Sequence, residues 1–177
     1  METIKLQDKE FRLSITPSQI QDAVGKIADK INYDLKGENP IFISILNGSF
    51  MFTSDLLKKI KIECQVSFLK LSSYHGTSST GKVSELIGLN DDISGRTVVI
   101  VEDIVDTGTT LECIIDQFKM HNPKQIRIAT LLLKPGTFNG TTKLDYVGIE
   151  IPNDFIVGYG LDYNNQGRNF EGIYKII

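Results

Sequence analysis

The stretch Val98 to Leu111, which reads VVIVEDIVDTGTTL, is the most informative part of this chain. Its apolar, β-branched start is typical of a buried strand, and two carboxylates, Glu102 and Asp103, follow directly. A turn of Thr and Gly residues then leads into a helical spacing of apolar residues that ends at Phe118. Open α/β sheets bind ligands in the crevice outside the carboxyl ends of their strands, so we expect a ligand site at this point.

The same stretch indicates which ligand groups the site would hold. Backbone N–H groups from Asp106 to Thr110 converge at the start of the helix, where unpaired amides form a cradle for phosphate. Glu102 and Asp103 would repel phosphate, so we expect them to bind ribose hydroxyls or a hydrated Mg²⁺.

The acidic stretch has three other interpretations. An EF-hand needs oxygen ligands at its third and fifth positions, and counting from Asp103 places Val105 and Thr107 there, so the spacing excludes calcium binding of that kind. A P-loop needs Gly-Lys-Ser/Thr, which the chain lacks. An acidic strand end that serves only as a helix cap remains as the alternative.

Strands and helices alternate along most of the chain, which favours a parallel sheet with right-handed crossovers. The patterns predict these elements: a helix over 18–35, a strand over 40–46, a helix over 51–60, a half-buried strand over 62–68, a short strand over 83–89, the strand 97–101, a helix over 111–118, a strand over 126–133, and strands near 146–151, 155–159 and 173–177. We find no internal repeat and no linker. The prediction is therefore one α/β domain over residues 1–177, with a mostly parallel sheet flanked by helices and an antiparallel extension.

Composition narrows the class of protein. The 177 residues carry a net charge of -3, with 41% hydrophobic and 23% charged residues, as ordinary globular proteins do. No apolar run approaches the roughly 18 residues that span a bilayer, and no secretory signal is visible, so we expect a cytoplasmic protein without membrane contact. The net negative charge gives no general attraction for nucleic acid.

The cysteines and histidines indicate no site of their own. Cys64 and Cys113 predict neither a zinc site nor a disulfide, and His75 and His121 receive no role.

The segment from Ser72 to Lys82, SSYHGTSSTGK, has eight Ser, Thr or Gly among its eleven residues. It is too polar to bury and lacks periodicity, which predicts a mobile loop. Composition alone is equally compatible with a merely solvated loop that has no role at the site.

The stretch from Val98 to Leu111, VVIVEDIVDTGTTL, resembles the phosphoribosyl-pyrophosphate motif of type I phosphoribosyltransferases. Further segments resemble the hypoxanthine (hypoxanthine-guanine) phosphoribosyltransferases within that family: LNGSFMFTSDLL from Leu46, LSSYHGTSSTGKV from Leu71, LLLKPG from Leu131 and PNDFIVGYGLDYNNQGR from Pro152. The resemblance runs from about Ile41 to the C-terminus. It implies the type I phosphoribosyltransferase fold, with a small hood of terminal strands and a lid. It also implies conversion of hypoxanthine, and of guanine, with 5-phosphoribosyl 1-pyrophosphate to IMP or GMP and pyrophosphate, Mg²⁺ as cofactor, and a homodimer or homotetramer.

The resemblance also implies roles for individual residues on the phosphoribosyl side. Glu102 and Asp103 would bind ribose and metal, and Asp106 would be the general base that takes the proton from purine N7. The 5′-phosphate loop would consist of Asp106, Thr107, Gly108, Thr109 and Thr110. Pyrophosphate would be bound by Leu46, Asn47, Gly48 and Arg168, with a non-proline cis peptide between the first two. The family commonly has Lys or Arg at the position of Asn47, so this loop lacks a cationic side chain and keeps its backbone amides.

On the purine side, Lys134 would donate to the 6-oxo group, Phe155 would stack on the base, and the backbone of Ile156 would bind its edge. Asp162 would hold a second Mg²⁺ through water beside the purine. Ser73 and Tyr74 would belong to the lid. Without the resemblance, Lys134 and Arg168 would be assigned to the surface and Phe155 to the core.

Three rival functions follow from the same residues. Within the fold, the base could be xanthine or guanine. A nucleotide-sensing RNA-binding regulator of the pyrimidine type would keep the phosphoribosyl site, although it would favour a basic face, which the charge of -3 opposes. A receiver-like signalling domain shares the acidic strand end but has neither the Thr/Gly turn nor the segment 155–168.

Overall fold

The computed structural model describes residues 2–72, 84–89 and 91–177. Within these ranges it has three helices, α1 (Pro17–Asp34), α2 (Phe50–Leu57) and α3 (Thr109–Lys119). The strands are β1 (Thr3–Leu6), β2 (Lys9–Ile15), β3 (Ile41–Leu46), β4 (Gln65–Ser72), β5 (Ser84–Ile87), β6 (Thr97–Val105), β7 (Gln125–Leu133), β8 (Tyr146–Glu150), β9 (Ile156–Val157) and β10 (Ile173–Ile176).

The main sheet has six strands in the order β5-β4-β3-β6-β7-β8. The five strands from β4 to β8 in that order pair in parallel, and β5 adds to the edge in antiparallel fashion. This arrangement confirms the predicted mostly parallel sheet. Because β3, β6 and β7 are neighbours, the loops that follow their carboxyl ends lie side by side, which is where the ligand site was expected.

Helices cover both faces of the main sheet. Apolar residues of α1 and α2 pack in one core cluster with Phe42, Val99 and Val101, whereas α3 packs in another with Ile43 and Ile100. Neighbouring residues along each strand thus enter opposite clusters, as strand geometry requires. At the start of α1, Thr16 and Gln19 bind each other's backbone N–H in a capping box, which fixes the first turn.

A second sheet, with the order β1-β2-β10-β9, is antiparallel throughout and joins both ends of the chain. Its small core contains Leu6, Phe11, Val157 and Tyr174. We call this sheet, together with the connecting segment 158–172, the hood. The hood matches the terminal strands that the resemblance implies.

Three parts of the strand prediction were wrong or incomplete. The strand predicted over 97–101 continues to Val105, so Glu102 and Asp103 lie within β6 and not after it. The sequence pattern gave no strands before residue 16, yet β1 and β2 are present. The strand predicted over 62–68 begins only at Gln65, and Val66 and Phe68, expected on a half-buried face, are 45% and 43% exposed. The lid residues Ser73 and Tyr74, and the rest of 73–83, lie outside the described residues.

Candidate active site

The acidic pair lies inside β6, because this strand continues past the apolar run to Val105. Glu102 is buried, with 8% of its surface exposed, while the Asp103 carboxylate accepts the Ile104 N–H at 3.0 Å. Burial and the neighbouring Asp103 carboxylate raise the pKa of Glu102 well above its ordinary value, and burial also raises the pKa of Asp103. Two carboxylates that resist ionisation gain most from an added cation.

Asp103 faces the loop after β3. The α-carbon of Gly48 lies so close to the Asp103 carboxylate that a Cβ atom at this position would overlap it. The Leu46–Asn47 peptide is cis, as the resemblance implies, and Asn47 is exposed. Glycine at residue 48 therefore allows this loop to approach the acidic strand directly.

Asp106 lies at the centre of a hydrogen-bonded group. Lys134 Nζ, on the residue after β7, donates to Asp106 Oδ2 at 3.1 Å, and the Thr137 hydroxyl donates to Oδ1. The hydrogen bond from Thr137 outweighs partial burial and, with that from Lys134, lowers the pKa of Asp106. Lys134 also reaches Asn153 Oδ1 at 3.3 Å. The result is an ionised carboxylate and an ammonium group in contact, both prepared for proton chemistry and hydrogen bonding.

The turn after β6 forms a small cavity of about 230 Å³ beside the acidic pair. Gly108, with a φ of 89°, caps α3, and the Thr107 and Thr109 hydroxyls are 3.2 Å apart. A Cβ on Gly108 would press against the Phe138 ring at 2.7 Å, so glycine is required for both conformation and space. The cavity is lined by Glu102, Asp103, Ile104, Val105, Asp106, Thr107, Gly108, Thr110 and Leu111. Its open backbone N–H groups at a helix start suit a phosphate.

The hood supplies the other wall of the site. Phe155 is 47% exposed and meets Tyr163 edge-on, with ring centroids 5.9 Å apart, so one face of a supported aromatic ring is available for stacking. Arg168 forms an ion pair with Asp162 and donates from Nη1 to the Gly160 carbonyl at 2.7 Å. These contacts hold both charged side chains on the side of the hood that faces the cavity.

A cavity of about 320 Å³ brings the two walls together. It is lined by Asn47, Gly48, Asp103, Ile104, Asp106, Lys134, Phe155, Ile156, Leu161, Asp162 and Arg168. Most residues named from the sequence for purine and pyrophosphate binding therefore lie around one space. Lys134 is buried and Phe155 is not, which is the reverse of what either residue would suggest alone.

The donor set of this cavity fits Mg²⁺ only with help from a substrate. Within residues 2–72, 84–89 and 91–177, no three His, Cys, Asp or Glu side chains come close enough to hold an ion. Mg²⁺ is commonly bound by one or two carboxylates together with substrate phosphates and water. Asp103 on one wall of the cavity and Asp162 on the other, with Glu102 beside Asp103 in the smaller cavity after β6, are consistent with that pattern.

Thr137 and Asn153 are two polar site residues that the sequence did not reveal. Thr137 donates hydrogen bonds to the Asp106 carboxylate and to the Lys134 carbonyl, and Asn153 accepts one from Lys134. Thr137 stands three residues after Lys134, in a polar turn that gives no signal of its own.

A larger cavity, of about 650 Å³, lies elsewhere, between the end of α3 and the starts of β7 and β8. Its floor includes Ile115 and Ile126, and Arg127 at its edge is already bound to Asp145 at 2.9 Å. Three of its charged groups pair with one another, Arg127 and Lys143 both with Asp145, and none of the described residues that the sequence singled out for the site lines it. We therefore place the chemistry at the smaller cavity.

None of the helices that the structure describes is long and apolar enough to cross a membrane.

Comparison with known proteins gives consistent matches. A family model described as a phosphoribosyl transferase domain matches residues 16–164. The chain is 40% identical to the hypoxanthine-guanine phosphoribosyltransferase of Streptococcus pneumoniae, over 96% of both chains. It is 38% identical to the bifunctional protein TilS/HprT of Listeria innocua over 93% of its own length, and it spans about a quarter of that longer protein, 26%.

A solved structure shares the fold. The hypoxanthine phosphoribosyltransferase of Trypanosoma cruzi, in complex with the product IMP, has a TM-score of 0.88 and 33% identity, covering 98% of this chain and 97% of that one.

Proposed function

The chain belongs to the phosphoribosyltransferase family, among the hypoxanthine-guanine phosphoribosyltransferases, and from this we propose that it is a purine salvage transferase. It joins hypoxanthine, and guanine, to 5-phosphoribosyl 1-pyrophosphate and releases IMP or GMP and pyrophosphate. The observation that carries the proposal is the contact between Asp106 and Lys134 in a cavity whose opposite wall presents the exposed ring of Phe155.

The proposed reaction forms a bond from purine N9 to the anomeric carbon while the bond from that carbon to pyrophosphate breaks. The proton on N7 passes to Asp106, which the Thr137 and Lys134 hydrogen bonds keep ionised beforehand. Lys134 donates to the purine 6-oxo group, Phe155 stacks on the ring, and the Ile156 backbone binds its edge.

The turn Asp106 to Thr110 binds the 5′-phosphate through its backbone N–H groups and hydroxyls. Leu46, Asn47 and Gly48, together with Arg168, bind the pyrophosphate. Asn47 carries no charge, so Arg168 supplies the cationic side chain that this group of residues directs at the leaving group. These fixed donors stabilise the charge that builds up as pyrophosphate leaves.

Mg²⁺ is the proposed cofactor, held by Glu102 and Asp103 at the ribose and, through water, by Asp162. When bound, the metal neutralises negative charge on the pyrophosphate oxygens. The buried acidic pair with its raised pKa values supports this assignment, because a cation would relieve the cost of ionising both groups.

The proposed assembly is a homodimer or homotetramer. Val66 and Phe68 expose apolar surface on one face of β4, and monomeric proteins rarely leave such residues clustered in the open.

A panel assay tests the function. The protein is incubated with 5-phosphoribosyl 1-pyrophosphate, Mg²⁺ and one of hypoxanthine, guanine, xanthine or adenine, and nucleotide formation is followed with and without excess chelator. We expect turnover with hypoxanthine and guanine, loss of turnover in chelator, and recovery with Mg²⁺. RNA binding without any turnover would instead favour the regulator, and turnover restricted to xanthine would identify a different transferase.

A further inference from the structure

Three consecutive residues of the hood, Gly158, Tyr159 and Gly160, have positive φ angles of 101°, 48° and 100°. Glycine adopts this region freely, but tyrosine does so rarely, and therefore its surroundings must hold it there. The Tyr159 side chain leaves the hood and packs in the core cluster of α1 and α2, where only 3% of its surface is exposed.

The buried hydroxyl has a defined acceptor. Tyr159 donates to Asp55 Oδ2 at 2.8 Å, and Gln21 Nε2 donates to the same oxygen at 2.6 Å. Burial, reinforced by the Asp55 carboxylate, raises the pKa of Tyr159, so the hydroxyl keeps its proton and remains a donor. Because Gln21 lies in α1 and Asp55 in α2, one carboxylate oxygen joins the hood to both helices.

The helix that carries Asp55 is tied to the proposed pyrophosphate loop. Helix α2 begins directly after Ser49, and the buried Ser44 hydroxyl on β3 lies 2.8 Å from the Ser49 hydroxyl and 2.7 Å from that of Thr53. These bonds link the end of β3, the loop and α2 to one another. A group fixed to Asp55 is therefore also fixed relative to this loop.

On the hood side, the residue next to Tyr159 touches the same loop. Gly160 packs against the Gly48 carbonyl so closely that a Cβ atom on Gly160 would overlap the oxygen. The Gly160 carbonyl accepts from Arg168 Nη1 at 2.7 Å, and its N–H donates to the Arg168 carbonyl at 2.9 Å. Tyr159 thus directly precedes the residue at which the hood meets the loop and orients Arg168.

We propose that the Tyr159 hydroxyl and Asp55 form a positioning tether that sets the distance between the loop 46–49 and Arg168. The tether thereby sets the affinity for the pyrophosphate group of the substrate. This inference rests on the proposed function, which makes the loop and Arg168 the pyrophosphate-binding groups. Tyr159 and Asp55 are positioning residues, since the described lining of the substrate cavity includes neither of them.

The primary variant is Tyr159→Phe, which keeps the ring in the core and removes only the hydrogen bond to Asp55. Without this bond, fewer molecules at any moment hold Arg168 against the loop, and apparent affinity falls by that fraction. We expect the KM for 5-phosphoribosyl 1-pyrophosphate to rise about fivefold to thirtyfold, with kcat and the KM for hypoxanthine changing less than about twofold.

Tyr174→Phe is the matched control. Tyr174 is also buried in the hood, and its hydroxyl donates to Glu2 at 2.6 Å, so the control loses a hydrogen bond to a carboxylate that has no link to the loop. The KM values of this variant should equal those of the wild type. If both variants lower the thermal unfolding midpoint and neither changes the KM for the phosphoribosyl donor, Tyr159 is only structural and the proposal is wrong.

Substitutions at Asp55 provide a second test. Asp55→Asn keeps an oxygen that accepts the Tyr159 hydrogen bond, so its KM for the phosphoribosyl donor should stay near that of the wild type. Asp55→Ala also removes the hydrogen bonds from Gln21 and Lys58, so its KM for the phosphoribosyl donor should rise at least as far as that of Tyr159→Phe. Adding Tyr159→Phe to Asp55→Ala should raise this KM no further, because the shared interaction is already lost. Fully additive effects would overturn the tether.

Failure of the tether can be distinguished by experiment from failure of the proposed function. If the wild type shows no turnover, the proposed function fails, and the tether is then judged by calorimetric titration with inorganic pyrophosphate and Mg²⁺. Weaker binding by Tyr159→Phe than by the wild type supports the tether. Equal affinities, or no binding by either protein, overturn it.

Discussion

If Asp106 is the general base, as proposed, replacing one of its oxygens by nitrogen separates its role in proton transfer from its role in binding. Asp106→Asn keeps the shape and both contacts with Thr137 and Lys134 within reach, but an amide cannot accept the N7 proton. We expect kcat at saturating substrates to fall about 10²-fold to 10⁴-fold, the usual contribution of a general base. The measurement is steady-state turnover with hypoxanthine.

Thr137→Val is the companion variant, because it removes one donor to Asp106 without changing side-chain shape. It should raise the pKa of Asp106 toward its ordinary value and lower kcat much less than Asp106→Asn does. A change of less than about threefold in Asp106→Asn would leave Asp106 as a phosphate-loop residue only.

In the proposed function, Lys134 selects the base that the site accepts. An ammonium donates hydrogen bonds and cannot accept them, so it matches the 6-oxo group of hypoxanthine and guanine and opposes the 6-amino group of adenine. We expect kcat/KM for adenine to be lower than for hypoxanthine by roughly 10⁴ or more, because a buried mismatch leaves donors unpaired. Xanthine should rank below guanine, since its extra oxygen would face backbone carbonyls near Asp162.

The comparison of wild type with Lys134→Ala checks this assignment, with Lys119→Ala as control because Lys119 pairs with Asp116 on the surface, away from the site. The first variant should lose most activity with hypoxanthine and most discrimination against adenine, and the second should lose neither. Adenine use within tenfold of hypoxanthine by the wild type would refute the role of Lys134.

At the scale of single residues, the sequence predicted those site residues that lie in one contiguous motif. The run from Glu102 to Thr110 places its own functional groups, so the turn and its cavity follow from local order. Thr137 and Asn153 form hydrogen bonds to residues of other loops, and no spacing along the chain predicts such contacts. Their positions depend on which strands become neighbours.

Among the secondary-structure elements, β6 contains a buried carboxylate, that of Glu102, whose ionisation lowers the stability of the fold. The pKa of Glu102 is raised in the folded protein, so its contribution to stability is present below its unfolded pKa and is lost as pH rises through the folded value. Glu102→Gln, which stays neutral, should therefore raise the unfolding free energy of the metal-free protein more at pH 8 than at pH 4.

Urea unfolding in chelator at both pH values measures this difference. Glu150→Gln, at the exposed end of β8 in the same sheet, is the control and should change the unfolding free energy by less than about 0.5 kcal/mol. The stabilised Glu102→Gln protein should also bind the phosphoribosyl donor with Mg²⁺ more weakly. Equal destabilisation at both pH values would show that Glu102 is an ordinary, well-accommodated core group.

Strands were predicted well where burial on both faces gives a continuous apolar run, as in β3, β6 and β7. The terminal strands β1 and β2 were not predicted, because their short alternation is interrupted by charges and β2 pairs with β10, which lies more than 150 residues further along the chain. The alternation of apolar residues places β4 too early, because such residues usually face a core. The structure exposes Val66 and Phe68 instead, and this error points to a surface of the whole molecule.

That surface lies on the face of the main sheet that carries α2. Val66 and Phe68 pair in parallel register with Phe42 and Ser44, so their side chains lie on the same face as these residues, and Ser44 contacts α2 through Thr53. Phe50, the first residue of α2, is also exposed, at 42%. The two exposed apolar side chains on one face of β4 are typical of an interface rather than of a solvated surface.

We therefore expect copies of this chain to associate through Val66 and Phe68, since closed symmetric homo-oligomers are the common form of soluble assembly. Sedimentation equilibrium at micromolar concentration should give a mass of two or four chains for the wild type. Phe68→Asp should shift the mass toward that of one chain, because burying an unpaired charge in an apolar interface costs several kcal/mol.

Tyr33→Asp is the control. Tyr33 is 83% exposed near the end of α1, so the same charge placed there should leave the mass unchanged. A monomeric wild type, or a Phe68→Asp protein with the mass of the wild type, would place the interface elsewhere and leave β4 with a solvated apolar face.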